Sequence, residues 1–513
     1  MRTLSASVVL SSIVLGSWLP GANAQVAGVD TPPTLGVPPY EASDAADDVP
    51  PGFVPQPSLE FPGVTAGITL GQMYTDNLTL AARGRPKESS WITQIQPFIK
   101  SAYNGPRLSG LLNYTLTGYL YPGESRRNQL AQRLDARGTL TVLPQHLFVD
   151  GSALYGREVI DNELPSGSGT FFLDGNRANV SRGTLSPYWT QNLGNFAAMM
   201  LRYSYSRVMY DTKGISGQSR GSLSGIPDIT SNGVQFNLVS PQYNKWSWNF
   251  NYSDQRIERD FGPSARFAVA KLGTALKISD NTRLIADGGR ENNFLADGTV
   301  DTLGASFWEV GIERSSARNR VKAMVGHRFY GRSYQFSWTR TAALLTTSVS
   351  YVEQPTDLNQ QLLGGGIGAI PSLGASAIPS LRQQRVYLMK RASGSVSYEM
   401  PTSTLRLALY DERRTYFLFN DGQERVSNAN VSWLFNVGPS TTVTPTYGWQ
   451  RYQHQDGQAN FKQYAQLAVM HQFDPSNFGS LRLRHDTRNV QSAVADARDY
   501  GVNVIFVQFT HLF

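Results

Sequence analysis

The C-terminal residues 500–513, YGVNVIFVQFTHLF, alternate between two kinds of side chain. Counting back by twos from Phe513 gives one face with His511, Phe509, Val507 and Ile505, and the other face carries Leu512, Thr510 and Gln508. This two-residue period predicts a β-strand with lipid on the first side and a wet lumen on the second. The alternation blurs at Val502, Val504 and Phe506, which favours a bulge there. A last strand that ends on an aromatic residue is typical of an outer-membrane β-barrel; the alternative is a buried strand of a soluble sandwich.

The composition favours the barrel. The chain has 513 residues, and past its N-terminus no run of about 18 apolar residues could form a transmembrane helix. It contains 24 Tyr, 24 Phe and 9 Trp, yet its mean hydropathy is −0.30, which suits a sheet with one lipid face and one wet face. Cysteine is absent, so disulfide scaffolds, thiolate metal sites and Cys nucleophiles are excluded.

The N-terminal residues predict an exported protein with three segments. Residues 1–24 form a secretory signal, with Arg2, an apolar stretch up to Leu19, and cleavage between Ala24 and Gln25. Residues 25–63 are rich in proline and acidic residues and contain no Lys or Arg, so we expect a short disordered periplasmic extension. Residues 64–513 form the barrel.

From Val64 onward, short turns alternate with longer polar loops, which is typical of a transmembrane barrel. The pattern predicts an all-β fold, an antiparallel up-and-down β-barrel of about 22 strands, within a range of 18–24. An even number places both termini on the periplasmic side. The connection at 354–384 is apolar for an exposed loop. It folds inward to narrow the lumen in one interpretation and is a mobile external loop in the other.

Motifs for catalysis or cofactor binding are not found. No Gly-rich phosphate loop opens a helix, and the six His are scattered without metal-ligand spacing. His485 and Asp486 could form half of a hydrolase site at the outer rim, but neighbours in a strand point to opposite faces. We therefore expect no enzyme, no cofactor, no metal and no nucleic-acid partner.

The polar faces of the predicted strands carry many arginines, and they predict a basic lumen wall that favours anionic solutes, including acidic polysaccharide. These residues are Arg107, Arg133, Arg137, Arg202, Arg283, Arg328, Arg406, Arg482 and Arg484. Tyr119 and Tyr121 share the inner face and would guide a sugar chain. In the alternative interpretation, the arginines pair with nearby acidic residues and only fill the wall.

Three groups of residues resemble a known family. They are residues 67–80 (GITLGQMYTDNLTL), residues 306–311 (SFWEVG) with 326–332 (GHRFYGR), and residues 407–416 (LALYDERRTY). Together they resemble the outer-membrane β-barrel proteins associated with PEP-CTERM/exosortase and exopolysaccharide gene clusters. The resemblance covers most of the barrel, and its motifs are structural.

The resemblance implies a porin-like channel in the Gram-negative outer membrane that secretes an exopolysaccharide together with periplasmic or inner-membrane export partners. A general or small-anion diffusion porin is the first alternative, and a surface-modifying barrel enzyme is the second. A TonB-dependent transporter is disfavoured, because only some 39 residues lie between the signal and Val64, too few for a folded plug. Further expected partners are membrane lipid and the barrel-assembly machinery, which would recognise Phe509 and Phe513.

Overall fold

The structure, a computed structural model, describes residues 63–159, 165–211, 226–241, 245–262, 264–296, 303–357, 386–417, 422–455, 457–491 and 499–513. The predicted signal peptide and acidic extension lie outside these residues and stay predictions. No helix in the described ranges is long and apolar enough to cross a membrane.

The described residues form one antiparallel sheet of 22 strands, which confirms the predicted strand number. Its first half comprises β1 (Gly63–Thr75), β2 (Ser90–Asn104), β3 (Leu108–Leu120), β4 (Gln129–Leu143), β5 (Leu147–Val159), β6 (Arg177–Asn192), β7 (Ala198–Asp211), β8 (Ile229–Val239), β9 (Trp246–Arg259), β10 (Ser264–Ser279) and β11 (Thr282–Ala296). Its second half comprises β12 (Leu303–Ser315), β13 (Asn319–Arg328), β14 (Gly331–Thr341), β15 (Leu345–Thr356), β16 (Tyr387–Met400), β17 (Ser403–Tyr416), β18 (Gln423–Asn436), β19 (Thr441–Gln453), β20 (Ala459–Asp474), β21 (Asn477–Gln491) and β22 (Tyr500–Leu512).

Each strand pairs with its neighbours in sequence, and β1 pairs with β22 to close the barrel. The closing register runs from Gly67 opposite Leu512 to Thr75 opposite Val504. The termini of the sheet lie at the rim with the short turns, which is the periplasmic rim in barrels of this kind. The opposite rim, with the long connections, is called the outer mouth below.

The two faces of the terminal strand are those predicted. Ile505, Val507 and Phe509 are 44%, 52% and 44% exposed on the outside, whereas Gln508 on the inside is buried. Exposed apolar side chains recur on the outer face of the other strands, for example Leu409, Leu467 and Leu481. A closed sheet with an apolar exterior is the arrangement that lipid requires.

The predicted bulge near Val502, Val504 and Phe506 is wrong. The registers of β22 with β21 and with β1 are unbroken through these residues. All three side chains point inward and are buried in an apolar cluster with connections at the outer mouth. Because these connections cover this part of the inner face, it does not need polar residues. The alternation of polar and apolar side chains therefore breaks down here although the strand backbone stays regular.

Phe513 contributes little to packing, since it is 78% exposed and its ring contacts that of His511 in edge geometry. Its backbone N–H donates to Ala66 O at 2.9 Å.

We expect removal of Phe513 to slow insertion into the outer membrane strongly, while the inserted barrel keeps the thermal stability of the full chain. Surface assembly and heat-dependent gel migration measure the two effects. Val437→Ala, at another exposed apolar residue of the periplasmic rim, is the control. Normal assembly without Phe513 would contradict its recognition by the insertion machinery.

Candidate functional site in the barrel lumen

Most of the predicted arginine wall lies on the inner face. The register places Arg133, Arg137, Arg202, Arg283, Arg328, Arg406, Arg482 and Arg484 there. Arg107 differs, because it precedes β3 in a periplasmic turn and is exposed. Further basic residues share the inner face: Lys100, Arg182, Arg259, Lys271, Lys322, Arg391, Arg414, Lys462 and Arg488. The acidic residues of this face are Asp135, Asp150, Glu158, Asp287, Glu291, Glu309, Glu313, Glu399, Glu412, Glu424 and Asp486. Basic side chains thus outnumber acidic ones.

Several of the predicted arginines form ion pairs along the wall. Nitrogen–oxygen distances are 2.8 Å for Arg137–Asp135, 2.8 Å for Arg202–Asp150 and 2.9 Å for Arg484–Asp486, and Arg328 pairs with Glu291. Arg482 lies over the Phe506 ring, 5.2 Å from its centroid. The arginines therefore stabilise the wall in part, and only the excess of basic over acidic residues gives the lumen a positive character.

Sequence reasoning missed a group of fully buried charges on β16–β18 near the outer mouth. Glu412 Oε1 is 2.6 Å from Arg414 Nε, and Glu412 Oε2 is 2.6 Å from Arg391 Nε. Arg414 and Glu412 are both 0% exposed. Such charges require partners on all sides, because desolvating an ion costs several kcal/mol. Glu424 supplies a second acid, 3.8 Å from Arg414 Nη1.

Tyrosines complete this group. Tyr416 and Tyr452 each donate to Glu424 Oε2, at 2.8 and 2.7 Å. The Arg414 guanidinium lies 5.8 Å from the Tyr387 ring centroid and 6.0 Å from that of Tyr452. The signal in the sequence was the alternation of Tyr410, Glu412, Arg414 and Tyr416 on one face of β17.

The inner-face charges continue across β20–β22. Lys462 lies opposite Arg488, which lies opposite Tyr500. Asp486 occupies the neighbouring inner position of β21. We call the inner-face set Arg391, Glu412, Arg414, Glu424, Lys462, Asp486 and Arg488 the mouth belt.

Part of the connection between β5 and β6 crosses to the mouth belt. Residues 165–176, called the strap, bind three inner-face residues of β20–β22. Tyr500 OH donates to Ser166 O at 2.8 Å, Lys462 Nζ donates to Ser166 Oγ at 3.1 Å, and Ser168 Oγ donates to Asp486 Oδ2 at 3.1 Å. Because β5 and β6 are remote from β20–β22 in the barrel wall, the strap bridges separate parts of the wall at the mouth.

An apolar cluster fixes the middle of the strap. Phe171 and Phe172 are 5% and 1% exposed, and they pack with inner-face residues of β1–β4 and β22. Tyr119 OH lies 3.0 Å from Thr170 Oγ1, and Tyr121 OH donates to Phe171 O. The two tyrosines predicted to line the lumen are therefore covered by the strap.

The connection after β15 also turns inward where it is described. Asp357 Oδ2 is 2.8 Å from Arg259 Nη2, and both side chains are almost fully buried although β15 and β9 are not neighbours. Val386, just before β16, packs with Val180, Val208 and Ile229 on β6–β8. Both ends of the predicted inward loop thus contact a remote wall. Residues 358–385 lie outside the described residues.

His485 and Asp486 do not form a catalytic pair. His485 is exposed on the outer face, where its Nδ1 lies 2.7 Å from Asn503 Oδ1, whereas Asp486 faces the lumen. Over the described ranges, no group of three or more potential ligands could hold a metal ion.

No protein-family model and no curated protein matches the chain. Solved structures match its fold. The FrpB iron transporter from Neisseria meningitidis is 10% identical, with a TM-score of 0.51, covering 88% of this chain and 82% of that chain. The siderophore receptor PirA from Pseudomonas aeruginosa is 8% identical, with a TM-score of 0.45 and coverages of 88% and 80%. A mutant of the ferric enterobactin receptor PfeA from Pseudomonas aeruginosa is 8% identical, with a TM-score of 0.46, covering 88% of this chain and 80% of that chain.

The match to FrpB corrects the predicted function. The FrpB barrel is described as an iron transporter, and not as an exopolysaccharide-export porin. The prediction of such a porin is therefore wrong. FrpB is described as a transporter, which fits the expectation that this chain is not an enzyme. The resemblance to the PEP-CTERM/exosortase-associated barrels stays a prediction. At 10% identity the FrpB match shows the fold: a 22-stranded barrel of the Gram-negative outer membrane, in contact with its lipid.

Proposed function

We propose that the chain is an outer-membrane transporter that binds a negatively charged solute in its lumen, at the mouth belt. The observation that carries the proposal is the excess of inner-face basic residues, which reaches the outer mouth in Lys462 and Arg488. Arg391 and Arg414 of the mouth belt are instead balanced by Glu412 and Glu424. Positive charge in a low-dielectric cleft raises the local concentration of anions and strengthens their binding.

The position of the strap supports a transporter with a covered binding site. Lys462 and Asp486 use polar atoms to hold Ser166 and Ser168, which are neutral groups. An anion would form stronger, charge-assisted hydrogen bonds with Lys462 than the serine hydroxyl does. A solute arriving from outside can therefore replace the strap on the basic side chains, and transport through such a site is saturable.

The experiment is solute uptake by the full chain in liposomes. A ferric catecholate complex serves as the anionic probe, because the FrpB barrel is described as an iron transporter, and a cationic complex of similar size is the second probe. We expect saturable uptake of the anion, and about 10- to 100-fold weaker apparent affinity in Lys462→Gln, since a charged hydrogen bond contributes about 1.5–3 kcal/mol.

Arg340→Gln is the matched control, because Arg340 is exposed on the outer face near the periplasmic rim. It removes the same charge without touching the mouth belt, so uptake should not change. Heat-dependent gel migration establishes that each variant is folded. Equal, non-saturable uptake of both probes, or unchanged affinity in folded Lys462→Gln, would contradict binding of an anion at the mouth belt.

A further inference from the structure

Basic side chains form a compact group on the outer face of β16–β19. Lys390 lies directly opposite Arg413, and Arg413 lies directly opposite Arg425. Arg451 on β19 lies opposite Ser427, which is two residues after Arg425 on the same face of β18. We call Lys390, Arg413, Arg425 and Arg451 the outer basic patch. Directly opposed like charges repel each other across a sheet, so their alignment requires a compensating charge.

The acids nearby compensate this charge only in part. Asp411 Oδ2 is 2.8 Å from Arg425 Nε, and Glu353 Oε1 is 3.3 Å from Lys390 Nζ. Arg413 is exposed and forms no ion pair within the described part of the chain. Arg451 Nε is buried without a hydrogen-bond partner there, although the guanidinium lies 5.7 Å from the Phe461 ring centroid. The middle and one end of the patch thus offer guanidinium groups to a further anion.

The patch lies where the apolar exterior ends toward the outer mouth. On β17 it follows Leu405, Leu407 and Leu409, and on β19 Arg451 follows Tyr447 and Trp449. Charged side chains at this level of a barrel meet the head groups of the outer leaflet. In the apolar exterior on the same side, a groove of about 650 Å³ extends from β17 to β22, lined by Val431, Trp433, Tyr447 and Leu467 among others.

We propose that the outer basic patch binds the phosphate of a phosphorylated glycolipid of the outer leaflet, with an acyl chain of that lipid in the groove. Arginine suits this ligand, because the planar guanidinium donates two parallel hydrogen bonds to phosphate oxygens. A phosphate between Arg413 and Arg451 would supply the negative charge that Asp411 and Glu353 do not. The site lies outside the lumen and is independent of the transported solute.

Other outer-face arginines have their positive charge compensated by carboxylates close by. Arg266 Nε is 2.8 Å from Asp254 Oδ1 in a two-point pair, and Arg256 Nε is 3.0 Å from Glu258 Oε1. These arginines lie on β9 and β10, on the same face of the barrel and near the same rim. Arg256 and Arg266 carry the same charge as Arg413 and Arg451 but already have carboxylate partners, which makes them matched controls for that pair.

The test measures lipid binding to the purified full chain by native mass spectrometry and by titration in detergent. The probes are bis-phosphorylated lipid A, the same lipid after removal of its phosphates, and inorganic phosphate. For Arg413→Gln/Arg451→Gln we expect about 10-fold or greater loss of affinity for phosphorylated lipid A, since each basic side chain near the lipid surface contributes about 1 kcal/mol. Arg256→Gln/Arg266→Gln should bind it as the unchanged protein does.

Three results would overturn the proposal. Equal binding of the dephosphorylated lipid would show that the patch does not recognise phosphate. Binding of inorganic phosphate as tight as that of the lipid would indicate a site for free anions. An equal loss in both double variants would indicate a general effect of net charge. Both pairs of substitutions are in exposed or half-exposed outer-face residues, and gel migration after heating verifies the barrel before each titration.

Discussion

Glu412→Gln should destabilise the barrel by about 3–5 kcal/mol, because it leaves two buried guanidinium groups without their shared carboxylate. Glu412 contacts Arg391 and Arg414 at 2.6 Å each, and it is completely buried. Glutamine keeps the shape of the side chain but removes its charge, so the loss reports the electrostatic part of the interaction. Urea unfolding of the chain in lipid vesicles, followed by tryptophan fluorescence, measures the change.

The adjacent residue provides the control. Asp411 also pairs with an arginine on a neighbouring strand, at 2.8 Å, but it lies on the outer face and the two side chains are 32% and 47% exposed. Asp411→Asn should therefore cost no more than about 1 kcal/mol, the usual value of an exposed pair. If the two variants lose equal stability, the mouth belt is hydrated and its charges do not depend on one another.

The sequence predicted the structural features that depend only on residues close together along the chain. The outward position of Ile505, Val507 and Phe509 follows from the period of the strand, and the strand number follows from the spacing of turns. Both properties are local, so they do not depend on which connections fold into the lumen.

Contacts between remote segments could not be predicted in this way. Val502, Val504 and Phe506 look misplaced on a wet face until Phe171 and Phe172 are brought against them from a connection more than 300 residues earlier in the chain. Arg259 and Asp357 give no sign in the sequence that they pair. The inward loops decide which inner-face residues contact water, and hydrophobic periodicity does not contain that information.

Function was the least predictable property. The motifs in residues 67–80 and 407–416 are parts of strands and turns, and similar barrels serve different solutes. Arg414 and Glu424 lie within or near such a motif, yet their burial became evident only from the register of β17 with β18 and from the tyrosines that cover them. The site had to be inferred from its geometry.

Phe171→Ala/Phe172→Ala should open the outer mouth while the barrel remains intact. The two rings are nearly fully buried in the cluster that holds the strap, and no strand pairing depends on them. Loss of a buried Phe side chain costs about 3–5 kcal/mol. Because the two rings hold the strap in place, their loss weakens the docking of the strap by this free energy. The ratio of open to closed conductance states should therefore rise by about 100-fold or more.

Single-channel recording in planar bilayers measures that ratio, and urea unfolding tests whether the barrel itself is unchanged. Phe196→Ala is the control, because Phe196 is 62% exposed in a periplasmic turn and this variant loses one phenylalanine ring without touching the strap. Since Ser166 and Ser168 hold the strap by only a few hydrogen bonds, they cannot replace the aromatic contacts. A double variant that is folded but stays closed would therefore mean that the strap does not close the mouth and is not what a solute has to displace.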